Sequence, residues 1–339
     1  MLAEYRHAGS DRILQPAESV RAVVTGALNP PSCAVAVLRP TTYTRRGPSA
    51  ALGAKPDVAH IGGRGKATHE LNSIATNGSL TQDCGTSYAA PFVAKILANL
   101  HHLIEGDTPR EVLVGLLVHS SIPSPLATKD LAKVARDFVG FGMPIHCNRM
   151  LATDDNSITL IFNATLKQGE ELVFKFVWPA CLATKEGRCR GRVRLTLAYR
   201  PTVDPAFDAE FVRANLDAYL RQEHVDKEGE VTWQGRLTTE SDKRYEKQLI
   251  EHGQKWSPVK QYEKTFQAKG FSSQWCLVVD GLSRTGTNLP TEGIPFCVAL
   301  TIEDPTGEED VFREMRQGLQ TAGSKIADIR TASRVRTQT

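Results

Sequence analysis

Apolar and polar positions alternate in two different rhythms along the chain, and the change between them divides it. The first half is helical in period. Residues 87–100 place Ala89, Ala90, Phe92, Val93, Ile96, Leu97 and Leu100 around most of a helix circumference, as expected of a helix packed inside a domain. Gly106 closes that run. Thr108, Pro109 and Glu111 then sit at the spacing of a helix cap, a first-turn proline and a reciprocal glutamate, with Val112, Leu113, Leu116, Leu117 and His119 continuing the helix. Upstream, residues 20–28 (VRAVVTGAL) form a β-branched run broken at Gly26, which predicts a buried strand closed by a turn. Residues 64–82 are rich in Gly, Ser, Thr and Asn and predict a surface loop.

The apolar pattern breaks at residues 152–156, and beyond it the period becomes two. Ile158, Leu160 and Phe162 share one parity; Val193, Leu195, Leu197 and Tyr199 alternate with Arg192, Arg194 and Thr196. The longest alternation is Val212, Ala214, Leu216, Ala218 and Leu220. With residues 172–178, 275–279 and 296–302 this predicts six or more strands and an antiparallel β-sandwich. Residues 241–252 are the one internal helix expected there. Residues 308–319 predict a C-terminal helix, followed by a disordered Thr/Ser/Arg tail. The expected organisation is an α/β domain over 1–152, an all-β sandwich over 153–305 and a helix with tail over 306–339.

Composition changes this picture little. The 339 residues are 41% hydrophobic, enough for two cores, and Lys plus Arg (41) barely exceed Asp plus Glu (38). Nothing in that balance points to nucleic acid or to a membrane surface. The seven cysteines are spread out with no Cys-x-x-Cys pair, so they read as reduced thiols and favour the cytoplasm. Cys84 is expected to be a buried small residue. Charges within residues 1–19 exclude a secretory apolar core there, and no later apolar run is long enough to span a bilayer.

The chemistry gathers at Gly85-Thr86-Ser87-Tyr88-Ala89-Ala90-Pro91-Phe92-Val93-Ala94. Gly85 is expected to let the backbone approach a bound group, Ser87 to carry a hydroxyl at the turn into the helix, and the first-turn amides to face developing negative charge. The string fits Gly-Thr-Ser-x-Ala-x-Pro-x-Val-Ala and resembles the segment bearing the nucleophilic serine of subtilisin-like serine proteases. Arg46-Gly47-Pro48 and Lys55-Pro56-Asp57-Val58 resemble the loop preceding it in that family, although His60 and Ile61 replace the usual Ala-Pro. Residues 138–151 resemble the segment closing its catalytic domain. The fold implied is the second half of a subtilisin-like parallel-sheet domain, followed by a β-sandwich or jelly-roll appendage.

The resemblance implies a serine endopeptidase acting through an acyl-enzyme on Ser87, with Gly85 and Thr86 in the oxyanion and nucleophile loop. No metal site and no organic cofactor are expected. The partners implied are a protein or peptide substrate and an AAA-type ATPase, because the two halves look most like bacterial intracellular subtilases encoded beside such ATPases in phage-defence gene pairs. The family's Asp-Ser/Thr-Gly and His-Gly-Thr motifs do not occur. His7, His60 and His69 precede Ser87 without the expected helix, Asp57 and Asp83 are misplaced for a triad carboxylate, and all nine histidines read as structural or solvated. The oxyanion-hole asparagine is expected just ahead of Met1. A truncated reading frame or a genuine short product fits, with truncation favoured because a half-sheet would expose its edges, and little turnover is expected of the chain alone. The alternative is a non-catalytic interaction module.

Overall fold

In a computed structural model, the structure describes residues 11–33, 36–48, 54–65, 70–123, 132–237 and 254–324. A parallel pair, β1 (Thr25–Leu28) and β2 (Val58–Ile61), lies at the centre of the first half. Ala27, Leu28, Val58 and Ala59 are almost fully buried, as parallel strands require. β1 is shorter than the apolar run suggests. Lys55 Nζ donates to the carbonyl of Ala22, and Asp57 Oδ2 accepts from the amide of Val24, so ahead of β1 side chains take two of the backbone groups while Val24 O still accepts from Asp57 N and Val58 N.

The outer edges of this pair are not open. Asn29 N and Arg39 O, then Thr41 N and Ala27 O, bond along β1, while Ala59 N and Phe141 N bond Gly142 O and Asp57 O along β2. Irregular segments thus replace further strands, which corrects the expectation of exposed edges.

Residues 64–82 are also not all loop. β3 (Leu71–Ile74) and β4 (Leu80–Asp83) form an antiparallel hairpin whose facing pair, Ile74 and Leu80, is 76% and 75% exposed. Asn77 and Gly78 turn it, with Gly78 at φ +81° and Asn77 Oδ1 accepting from Ser79 N. β4 leads into α1 (Thr86–Leu103), which packs on β1 and β2.

Only one face of α1 is buried, by Ala89, Val93, Ile96 and Leu100. Ala90, Pro91, Ala94 and Ala98 are exposed, and Phe92 is 41% exposed, so the all-round burial expected of this helix is not met. α2 (Arg110–His119) begins one residue later than its sequence suggests. Pro109 is the cap residue and makes no side-chain cap bond, while Thr108 is buried. The glutamate at 111 does not reach back to the helix start; it is fully buried and meets Arg200 and Arg110. α3 (Ala132–Val139) packs on β1, and α4 (Cys147–Met150) leads to the β-rich half.

That half holds two four-stranded antiparallel sheets. One has the order β10 (Val259–Lys269), β7 (Cys189–Tyr199), β12 (Ile294–Glu303), β5 (Ser157–Leu166); the other β6 (Leu172–Val177), β11 (Gln274–Ser283), β8 (Ala214–Val225), β9 (Val231–Leu237). Their inward residues share one core. Trp178, Phe266 and Trp275 meet at ring separations of 4.4–6.0 Å within it. Each such ring contributes about 1.5–3 kcal/mol by leaving water. α5 (Val311–Thr321) covers one end through Val311, Met315 and Leu319. Asp310 caps it by accepting from Arg313 N.

The first half rests on the second through α2. Its apolar face packs on β7 and β12, joining Ala198, Val259 and Cys297 to the helical core. The helix expected at 241–252 and the expected tail beyond residue 324 lie outside the described residues. Among the described residues no helix is long and apolar enough to cross a membrane.

Candidate functional site

The turn carrying Ser87 is held from below by the C-terminal ends of the parallel strands. Gly85 N donates to Gly62 O at 2.8 Å, just past β2, and the Tyr43 hydroxyl lies 2.6 Å from Gly62 O and 2.8 Å from Gly63 O. A Cβ at Gly62 would stand 2.7 Å from Ala27 Cβ and 2.9 Å from Gly85 O, so this approach demands glycine. Gly63, at φ +85°, lies under Cys84. Asp83 Oδ1 accepts from Cys84 N at 2.7 Å and completes the support from the hairpin.

Within the protein, the close approach beneath the turn is made at Gly62. Gly85 has an extended backbone, φ 161°, and a Cβ there would meet nothing nearer than 3.7 Å. Its own packing does not require glycine.

Ser87 is the second residue of α1 and is exposed. The first intrahelical donors are Tyr88 N and Ala89 N, both to Gly85 O. Among the described residues, the amides of Thr86 and Ser87 have no acceptor, and Ser87 Oγ has no hydrogen-bond partner. An exposed hydroxyl thus stands beside two free donors at the positive end of an 18-residue helix. Such a constellation can place an attacking oxygen next to a site for negative charge. Tyr88 follows with its hydroxyl 3.4 Å from Asp83 Oδ2.

Cys84, expected to be buried, is only partly so; burial, helped by the charges of Asp83 and Glu70, pushes its thiol pKa up and disfavours the thiolate. Tyr43 is pushed up to about 12, mainly by burial, so its support of Gly62 is that of a neutral hydroxyl.

The structure brings Gly85, Thr86 and Ser87 together at the helix start and brings no described histidine or carboxylate into hydrogen-bond contact with the Ser87 side chain. His60 lies on β2, stacked 4.9 Å from the ring of Phe92, and its Nδ1 accepts from Ile61 N. Burial lowers its pKa and favours the neutral ring. His119 is buried under the sandwich, and His146 caps α4. Asp57 is committed to Lys55 Nζ at 2.7 Å. His7, His69 and His252 lie outside the described residues. Among the described residues no group of three His, Cys, Asp or Glu side chains is placed to hold a metal ion.

Tyr43 is the member of this site that sequence reasoning missed, and Gly62, the last residue of the matching loop, was given no part in it. Gly62-Gly63 was a visible signal for close backbone approach, whereas Tyr43 reaches the turn only through tertiary packing.

Fold and site together define an α/β layer with a helix-start serine, seated on a β-sandwich. Residues 7–143 match the subtilase family model, which supports a subtilase-like domain over that stretch. The uncharacterized protein y4bN of Sinorhizobium fredii (strain NBRC 101917 / NGR234) is 24% identical over 233 residues, which are 59% of this chain and 53% of that protein. The chain thus spans about half the length of the curated relative it matches. A chain from the naturally occurring empty particles of Cowpea mosaic virus top component (CPMV-T) aligns at 10% identity, over 45% of this chain and 88% of its own, with a TM-score of 0.21. That score carries no inference.

Proposed function

We propose that this chain is the nucleophile-bearing part of a subtilisin-like serine endopeptidase, with Ser87 Oγ as the atom acylated by a protein or peptide substrate. The observation that carries the reading is the exposed Ser87 hydroxyl at the first turn of α1, next to the unpartnered amides of Thr86 and Ser87. In the proposed reaction the hydroxyl attacks a carbonyl carbon, and the Ser87 amide N–H donates to the developing oxyanion. A histidine takes the hydroxyl proton and later delivers it to the leaving amine, and an aspartate orients that histidine. Both come from polypeptide outside the described residues, seated against the exposed side of α1. Support for that seat comes from Ala90, Pro91, Phe92 and Ala94, which leave an apolar helix face in water.

We read residues 1–152 as the catalytic part and 153–305 as an accessory jelly-roll. Support for the latter is the strand order: counting β5 as first, the sheets run 6-3-8-1 and 2-7-4-5, two interlocked Greek keys. An AAA-type ATPase partner and a cytoplasmic setting belong to the same reading and rest on the sequence resemblance.

The test is active-site labelling with a fluorophosphonate on the complete gene product, wild type against Ser87→Ala. Labelling of Ser87 in the wild type and its loss in the variant are the expected results. A complete product that stays unlabelled while folded removes the protease reading and leaves a non-catalytic interaction module.

A further inference from the structure

At the end of the sandwich where β8 begins and β11 ends, two arginines converge on one glutamate. Arg213 opens β8. Its Nη1 donates to Glu210 O, its Nη2 to Thr285 O and its Nε to Thr287 Oγ1, and the guanidinium lies 3.6 Å from the ring centre of Phe207. Arg284 follows β11. Its Nε donates to Val212 O, and its guanidinium lies 4.1 Å from the ring centre of Trp256. Backbone and aromatic faces thus fix both cations before any ligand arrives, and their side chains are only 3% and 20% exposed.

Their shared counter-ion is held far less well. Glu210 Oε1 lies 3.1 Å from Arg284 Nη1 and Oε2 lies 3.6 Å from Arg213 Nη1, both as ion-pair contacts outside hydrogen-bond geometry, and the Glu210 side chain is 62% exposed. One carboxylate therefore faces two positive charges, one buried and one mostly buried. Burial lowers the pKa of Arg284, against the raising influence of Glu210 and with a smaller lowering one from Arg213, so this guanidinium is held in a partly desolvated place.

The segment bearing Glu210 is also strained. Asp208 has φ +44° and ψ −119°, a region that a residue with a Cβ rarely adopts. The bonds Asp204 N to Phe211 O and Asp204 Oδ1 to Ala206 N close this short loop at its base and leave Asp208 and Glu210 at its exposed side. Such a loop can yield the carboxylate without disturbing β8.

We propose that the Arg213–Arg284 pair is a binding site for a phosphate monoester, with Glu210 as the resident carboxylate that the phosphate displaces. A phosphate monoester carries about −1.5 to −2 at neutral pH, which matches two guanidinium groups where one carboxylate does not. Its oxygens take the place of the Glu210 carboxylate opposite Arg284 Nη1 and Arg213 Nη1, the atoms that Glu210 now faces, in charge-assisted contacts. The group comes either from a phosphorylated protein or from a small phosphorylated molecule.

Calorimetric titration of the folded chain at fixed ionic strength tests this, with inorganic phosphate and a phosphoserine peptide as separate probes. Glu210→Gln is expected to tighten phosphate binding about tenfold by removing the competing charge, and Arg284→Gln to weaken it about tenfold or more. Glu210 is exposed on its loop and Arg284 lies just past the end of β11, and unchanged melting temperatures certify the fold. Tighter binding of the peptide assigns the source to a phosphoprotein, and equal or tighter binding of inorganic phosphate assigns it to a small molecule; either supports the site. Heat-silent titrations in both wild type and Glu210→Gln, or equal affinities in wild type and Arg284→Gln, overturn it.

Discussion

His119 shows how much of the pH behaviour of this protein is set by one side chain. Its Nδ1 lies 2.8 Å from Thr196 Oγ1 and its Nε2 2.6 Å from Thr301 Oγ1, so the neutral ring satisfies both hydroxyls as donor on one side and acceptor on the other. Protonation would bury a charge beside Arg194, whose Nη1 already donates to His119 O. Burial first, and Arg194 second, lower the pKa from 6.5 to about 3. The folded value lies below the unfolded one, so the unfolded chain takes up the proton first as pH falls. His119 therefore adds its full stability above pH 6.5 and loses it progressively down to about pH 3. Between pH 7.5 and 4.5 the loss is about 2–3 kcal/mol. Urea unfolding at those two values should show His119→Gln losing less than the wild type over the interval, and equal losses would refute the assignment. Asp57 makes a second case. Paired with a buried Lys55, it is structural here, and Asp57→Ala should cost about 3–5 kcal/mol by stranding an ammonium. A cost under about 1 kcal/mol in the same urea assay would mean that Lys55 finds water instead. Sequence reading gave neither residue a catalytic role. The partners of His119 were out of its reach, because Thr196 and Thr301 are 77 and 182 residues away.

Among elements, α1 divides the predictions by face. Leu100 is fully buried against the parallel pair, and Leu100→Ala should cost about 2–5 kcal/mol through lost contact and a residual cavity. Ala98→Ser, on the exposed face, should change stability by less than about 0.5 kcal/mol, and chemical denaturation of the two variants separates the faces. The same helix explains what was legible. Its start is local, a turn followed by an apolar run, so the place of Ser87 could be read directly. Which of its apolar residues are covered depends on neighbours far along the chain, and Phe92 was therefore assigned to a core it does not enter. The sandwich strands with clean alternation, β5, β7, β8 and β12, were visible for the same local reason. β9 and β10 were not: one is an edge strand with little buried surface, the other is wet over most of its second half. The β3–β4 hairpin was hidden because its facing apolar pair lies in solvent and resembles loop composition, although Asn77-Gly78 was a turn signal in plain view.

At the scale of the molecule, the question is whether the helical layer and the sandwich fold as one unit. α2 decides it. Val112, Leu116 and Val118 fill the helical core while Gly115 lets the helix sit close on the sheet, its missing Cβ falling 3.3 Å from Cys297 Sγ and 3.8 Å from Ala198 Cβ. Polar links ring this contact. Arg200 Nε reaches Glu111 Oε1 at 3.5 Å, Gln261 Nε2 donates to Val118 O, and Arg194 Nη1 donates to His119 O. Since Ala198, Val259 and Cys297 belong to the helical core and also to strands of the sandwich, loss of either half strips apolar cover from the other. Unfolding of the wild type should then be a single calorimetric transition. Gly115→Leu puts a branched side chain where even one methyl would press on Cys297, and it should lift α2 from β7 and β12 at a cost of about 1–3 kcal/mol or more. The sandwich keeps its own core of Trp178, Phe266 and Trp275 in that variant, so the helical layer should melt first and the thermogram should split in two. A variant that melts as one sharp transition at an unchanged temperature would show that α2 is not the element joining the halves.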